Sequence, residues 1–447
     1  MTLDRSAPVD DPSPRPYPDR VSASDPVVEY VRPHGLRRML GRDPREPHRS
    51  VTPLELLFDL TFVVAFSQAG DQLAHYVAEA HIATAVWGFA FVLLSVCWAW
   101  INFTWFASAF DTDDWLQRVL TMVQMVGVLV LALGIPAVFE SIDSGGPFDF
   151  VLVAVGYVVM RASLVLMWLR VAREDPANRR VALRYAGFNV VIQAGWLTVA
   201  LLEIEQTPLL VALLVILWVA EFAGHPYATW NARDENRSWQ GTPWNADHIA
   251  ERYGLLVIIT LGEGILGTIT AVAAVVAHVG WSSEAILIVI AGTGLTFGLW
   301  WTYFILPSAP VLARHRERKW AWGYGHIVLF GAVAAVGAGL HVAAYAAEGE
   351  TTIGTVGVVL SVAIPVFVFS LAYFTLWSIL FRAVDAFHVM LAVGMAAFLV
   401  AGVLLAAAGV PLGWCLFVVM LSPFVVAVGY ETAGYRHVEA DVRREGR

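Results

Sequence analysis

Lysine is almost missing from this chain: Lys319 is the one lysine in 447 residues, and arginine supplies the rest of the basic charge. Charge of either sign is scarce, at 15% of residues, where a soluble domain carries roughly 25%. That deficit argues against an ordinary soluble domain. Cysteine is limited to Cys97 and Cys415, both inside apolar runs, so neither a CxxC metal pair nor a disulfide framework can be built. Also lacking are a Gly-rich nucleotide loop, a Ser/His/Asp arrangement placed by motif and a nucleic-acid-binding patch. No cofactor, no metal ion and no nucleic-acid partner are therefore expected. Met1 to Val31 has no apolar signal-peptide region and is rich in Pro, Asp, Ser and Arg. Residues 1–50 read as a disordered, basic cytoplasmic tail.

What is abundant is hydrophobic side chain, 58% of the residues, with a mean hydropathy of +0.65. The apolar residues fall in runs of about 20, the length that crosses a hydrocarbon core. The expected fold class is an all-α polytopic membrane protein with about twelve transmembrane helices. Spans are expected near 54–77, 83–106, 116–138, 147–171, 182–202, 208–223, 251–277, 283–306, 321–345, 353–381, 387–408 and 411–430.

Orientation follows from the arginines. Alternate loops carry Arg118, then Arg170 to Arg184, then Arg233 and Arg237, then Arg314 to Lys319, then Arg382. The ends add Arg37 to Arg49 and Arg436 to Arg444. The other loops hold no Lys or Arg, and several hold acids, among them Glu79, Glu140, Asp143, Glu203, Glu348 and Glu350. This pattern implies an even number of crossings with both termini cytoplasmic.

Features recur after six helices. Glu55 opens the first span and Glu251 the seventh. Trp98 to Phe106 ends the second and Trp300 to Phe304 the eighth. Trp168-Leu169-Arg170 and Trp377 to Arg382 end the fourth and tenth. Two parallel six-helix repeats are expected, at 51–223 and 251–430, joined by an interfacial loop at 224–250 and followed by a tail at 431–447. Trp and Arg recurring by interface preference alone would give a similar pattern.

A charge inside the bilayer costs a few kcal/mol or more and calls for a reason. Glu55 and Asp59 share a face at the start of the first span. Helix capping explains Glu55 as well as a functional role does, whereas Asp59 lies about 6 Å deeper and needs a partner. Glu263 sits near the middle of the seventh span between Gly262 and Gly264. Those glycines suit close helix approach, or a local break in the helix. Arg161 in the fourth span lies at similar depth, which permits a Glu263–Arg161 ion pair; a separate local partner for each is the competing reading. His248, Glu251 and Arg252 open the seventh span at helical spacing. They suit a salt-bridge and cap network better than a metal site, which needs three or four ligands. His326 and His341 are intramembrane histidines, suited to helix–helix hydrogen bonds or to carrying protons.

Two stretches carry a resemblance. Glu55-Leu56-Leu57-Phe58-Asp59-Leu60-Thr61-Phe62-Val63 resembles the opening signature of the bacterial low temperature requirement protein A (LtrA) family. His248 to Leu255, continuing through Leu261-Gly262-Glu263, is similar to that family's second signature. The resemblance implies a polytopic protein of the bacterial plasma membrane and supports Glu55, Asp59, Glu251, Arg252 and Glu263 as site residues without assigning their roles.

Twelve spans, a repeat and buried carboxylates suit a transporter-like protein. Glu263 and Asp59 would be its proton or cation sites, Arg161 its counter-charge, and its substrate a small molecule or an ion. An ion channel, or a membrane-embedded enzyme or lipid-handling protein centred on His248, Glu251 and the 224–250 loop, are the alternatives.

Overall fold

The computed structural model describes residues 35–47, 49–202, 204, 207–230, 241–382, 384–436 and 439. Among them all regular structure is helical. The helices are α1 (Pro53–Ala78), α2 (Ile82–Phe110), α3 (Trp115–Leu133), α4 (Ile135–Ser144), α5 (Val151–Glu174), α6 (Arg179–Leu201) and α7 (Thr207–Thr229). They continue with α8 (Ala246–Val279), α9 (Ser283–Phe304), α10 (Ser308–Arg314), α11 (Lys319–Glu348), α12 (Thr355–Phe381), α13 (Ala386–Ala407) and α14 (Leu412–Gly429).

Among the described residues eleven helical stretches are long and apolar enough to cross a membrane, with α3 and α4 counted as one. Helix α6, 23 residues long, fills the remaining expected position. It is less apolar because Arg184, Asn189 and Gln193 interrupt it. The chain is thus a polytopic helical membrane protein. The third span is interrupted at Gly134, two residues before Pro136, which lies in the first turn of α4 and cannot donate a helical hydrogen bond. Helix α7 is longer than the 208–223 expected, running through Pro226 to Thr229. Helix α8 begins at Ala246, with Asn245 as its N-cap, so His248 lies inside its first turn rather than in a loop.

The described segments that carry arginine gather at one end, where Arg42 donates to the Asp111 carbonyl at 3.3 Å, Arg316 to the Trp244 carbonyl at 2.7 Å and Arg318 to the Leu380 carbonyl. Residues 35–47, 49 and 50, read as part of a tail, are seated there. Gly41 N–H donates to Asp175 at 2.8 Å, Arg42 N–H to the Ala109 carbonyl at 2.9 Å, and Asn245 to the Glu46 carbonyl at 2.9 Å. Arg49 donates to the carbonyls of Ala107 and Ser108 and so caps the C-terminus of α2. Residues 1–34 lie outside the described residues. The opposite, acidic end is tied by Thr352 N–H to the Ala78 carbonyl at 2.9 Å and by His81 to Asp143 at 2.8 Å.

Helix α11 is the central element: 89% of its apolar stretch is buried, against 11% for α7. Glycine makes the central packing possible. A Cβ on Gly267 would meet the Gly337 carbonyl at 2.5 Å, and a Cβ on Gly337 would meet the Glu263 backbone at 2.5 Å. Helix α8 runs unbroken through Gly262-Glu263-Gly264; Gly264 admits Thr296 of α9, Gly267 admits α11, Gly262 faces open space, and no helix break occurs. Successive packing neighbours also recur. Contacts α1–α2, α1–α3, α3–α5, α5–α6 and α6–α7 are matched by α8–α9, α8–α11, α11–α12, α12–α13 and α13–α14.

Candidate functional site: buried charge in the bundle

Three groups of charged side chains are buried among the helices, and each uses different means of satisfying its charge. The first joins α1 to α8 near the arginine-bearing end. Thr52 and Glu55 form a reciprocal capping box, with the Thr52 N–H donating to Glu55 at 2.9 Å. The same Glu55 carboxylate accepts from Arg252 at 2.9 Å and lies 3.1 Å from His248 Nε2. Arg252 also pairs with Asp59, one turn deeper, and Asp59 accepts a 2.7 Å hydrogen bond from Trp100 Nε1. The Arg252 guanidinium lies 5.5 Å from the Trp100 ring, so the indole both donates to the acid and covers the cation. His248, Arg252 and Asp59 are fully buried and Glu55 nearly so. Glu251 points away from them and accepts from the Val51 N–H at 3.2 Å.

On the opposite face of α2 lies the second group. Arg161 on α5 pairs with Glu221 on α7 at 3.0 Å and donates to Asn102 at 2.9 Å and Asn189 at 2.7 Å. Trp98 Nε1 donates to Glu221 at 2.7 Å. Trp98 and Asn102 thus serve this group while Trp100, between them, serves the first. The Glu263–Arg161 pair does not form: the order of helix packing puts α7 beside α5 through α2 and α6, and Glu221 takes the guanidinium.

The third group surrounds Glu263, buried where α1, α8 and α11 meet. The Ser67 hydroxyl and, among charged groups, His341 and Asp71 act on its carboxylate. His341 Nδ1 lies 3.1 Å from Asp71. Side-chain exposure rises outward, from 15% at His341 to 47% at Asp71. Among the described residues no arginine or lysine pairs with Glu263, so its charge must be balanced by a proton, by a cation or by a charged His341. Between this group and the first lie Phe62, Phe66, Leu256, Val257 and Phe330, all buried; they separate the two polar regions with an apolar layer.

Outside the spans, the turn between α2 and α3 holds two buried acids of opposite behaviour. Burial, reinforced by the nearby Glu55 charge, pushes the Asp111 carboxyl up to about 6 despite Arg49 and Arg42. Burial also opposes the charge of Asp114, but hydrogen bonds from Arg170 and from the backbone N–H groups of Gln117 and Arg37 hold it at about 2.

Residues 50–423 match the family model for bacterial low temperature requirement A protein (LtrA). The chain belongs to the LtrA family. A 213-residue stretch is also 30% identical to an uncharacterized protein of Rhizobium meliloti (strain 1021), covering 47% of this chain and 49% of that one. The chain thus spans about half the length of that relative. Both LtrA-like signatures lie in the first and third groups: Glu55 and Asp59 on α1 meet His248 and Arg252 at the start of α8, and Glu263 follows further along the same helix. Among the described residues no set of three or more His, Cys, Asp or Glu converges as a metal site.

Sequence reasoning passed over several participants. Glu221 and Asp71 are acids within apolar runs and carried the same signal as Glu263. Trp98 and Trp100 read as an interfacial aromatic belt, yet both are buried donors to acids. Ser67, Asn102 and Asn189 had no distinguishing signal. His341 reaches Asp71, while His326 is fully buried between Tyr303 and the Trp322 carbonyl, at 3.1 and 2.7 Å.

Proposed function

We propose that this LtrA-family protein is transporter-like, sits in the bacterial plasma membrane with both termini cytoplasmic, and handles a proton or cation at Glu263. The observation that carries this reading is a buried carboxylate with no guanidinium or ammonium partner among the described residues, in the field of His341, which in turn contacts the half-exposed Asp71 at the acidic end. An intramembrane acid of this kind marks an ion or proton path in membrane proteins generally. The apolar layer beyond it favours a gated pathway over an open pore, because a channel needs polar groups along its whole length. The recurring neighbour order of the two sets of helices supports parallel six-helix halves, an arrangement common in transporters. In this reading Asp59 and Arg161 hold the bundle together and Glu263 does the coupling.

The test is proton flux into proteoliposomes loaded with a pH-sensitive dye and driven by a potassium diffusion potential. Wild-type vesicles should acidify faster than protein-free vesicles, and Glu263→Gln should lower that rate at least about tenfold, as loss of an essential proton carrier would. Wild-type vesicles no leakier than protein-free ones, or a Glu263→Gln variant indistinguishable from wild type, would overturn the reading. A lipid-handling role has one observation of its own: an apolar crevice of about 680 Å³ between α1, α2, α11 and α12, lined by residues such as Leu73, Phe89, Leu94, Val328 and Ile364. It predicts altered membrane lipid composition on deletion.

A further inference from the structure

We propose that the groove between α6 and α7 binds one anionic phospholipid, its phosphate held by Arg180 and Arg184 and an acyl chain laid along the apolar floor. The groove is shallow and open to the outside, offers about 710 Å³, and is lined by Arg180, Arg184, Gly187, Phe188, Val191 and Tyr227, among others. Arg180 and Arg184 are one turn apart, so they share a face of α6. Among the described residues neither has a carboxylate partner, in contrast to Arg161, Arg170 and Arg252. Arg184 donates to the Trp230 carbonyl, which fixes one side of its guanidinium and leaves further N–H donors facing outward. The two charges lie at the arginine-bearing end of the helices, the level at which phosphates of a bilayer would lie.

The floor below them is built for a chain. A Cβ at Gly187 would meet nothing within 4 Å, so this glycine opens the groove rather than serving helix contact. Phe188 forms one wall because it packs onto Gly224, where a Cβ would meet its ring at 2.2 Å. Val191 is 69% exposed and Tyr227 55% exposed. An inorganic phosphate would leave this apolar surface uncovered, and a zwitterionic lipid would bring its own ammonium group up to the two guanidinium groups. Charge complementarity and the apolar floor together select an anionic phospholipid; basic pockets between transmembrane helices bind such headgroups.

Native mass spectrometry of the delipidated full chain in detergent, titrated with phosphatidylglycerol or with phosphatidylcholine of the same acyl chains, tests the site. Wild type should retain one phosphatidylglycerol in clear preference to phosphatidylcholine. Arg180→Gln with Arg184→Gln should weaken that binding about thirtyfold, from the loss of two basic contacts. Gly187→Leu should weaken it by filling the floor, with the lipid-free melting temperature unchanged. Arg173→Gln, an exposed arginine at the same end, should bind as wild type does. Equal retention of the two lipids, an equal loss in Arg173→Gln, wild-type binding by Gly187→Leu, or a dimer mass that replaces the lipid adduct would each overturn the proposal.

Discussion

Arg252 and Glu263 stand on one helix, about 16 Å apart along its axis, and their surroundings are opposites. Around Arg252 both carboxylates touch one fixed guanidinium: Glu55 and Asp59 from α1 share it, with Trp100 donating to the same Asp59 oxygen. Around Glu263 there is a hydroxyl, an imidazole and another acid. Both are buried, so the difference is one of neutralisation and not of depth. A fixed guanidinium commits its acids to holding helices together. An acid without one is free to exchange a proton or a cation when its surroundings change, and the coupling proposed for Glu263 requires that freedom.

The strongest way to break the comparison is Arg252→Met. It strands two carboxylates in the bundle, and removing one partner of a buried pair costs about 3–5 kcal/mol. The variant should show a large drop in melting temperature and in monodisperse yield, whereas Glu263→Gln should change stability by less than about 1 kcal/mol. If the two variants were equally destabilised, Glu263 would be a structural residue after all.

A smaller effect is expected at Gly337, whose added Cβ in Gly337→Ala would press on the Glu263 backbone at 2.5 Å. Overpacking of this kind costs about 1–3 kcal/mol. Because it displaces Glu263 from Ser67 and His341, proton flux should fall along with stability. Retained flux in a destabilised Gly337→Ala variant would separate packing from function at this interface.

The smallest effect extends the contrast beyond the spans, to Asp111, whose folded-state value near 6 exceeds its ordinary one. The folded protein therefore holds this proton more tightly than the unfolded chain does. Stability on this account falls as pH rises from about 4 to about 6 and is flat above. Asp111→Asn should remove that slope from a plot of melting temperature against pH; an unchanged slope would show that Arg42 and Arg49 already neutralise the acid.

How much of this was legible in the sequence differs by level. The long apolar runs and the alternating arginines specified helices and their alternation, because hydrophobic length and loop charge act locally along the chain. The LtrA-like signatures pointed to Glu55, Asp59, Arg252 and Glu263 as special. Pairing was less accessible. Glu55 caps its helix and binds Arg252 with one carboxylate, so two readings that seemed to compete are both satisfied. Of the two uses open to the glycines around Glu263, close approach is the one found: Gly264 and Gly267 face Thr296 and α11 within an unbroken helix.

The sequence by itself determined that this is a many-span helical membrane protein with a few expensive charges inside it, since composition and periodicity fix burial along each segment. Only the tertiary structure decided which of those charges meet. Arg161 went to Glu221 and Arg252 to Glu55 and Asp59, leaving Glu263 to Ser67 and His341. Partner choice depends on which helices lie side by side, and small residues such as Gly267 and Gly337 set that by letting one backbone approach another.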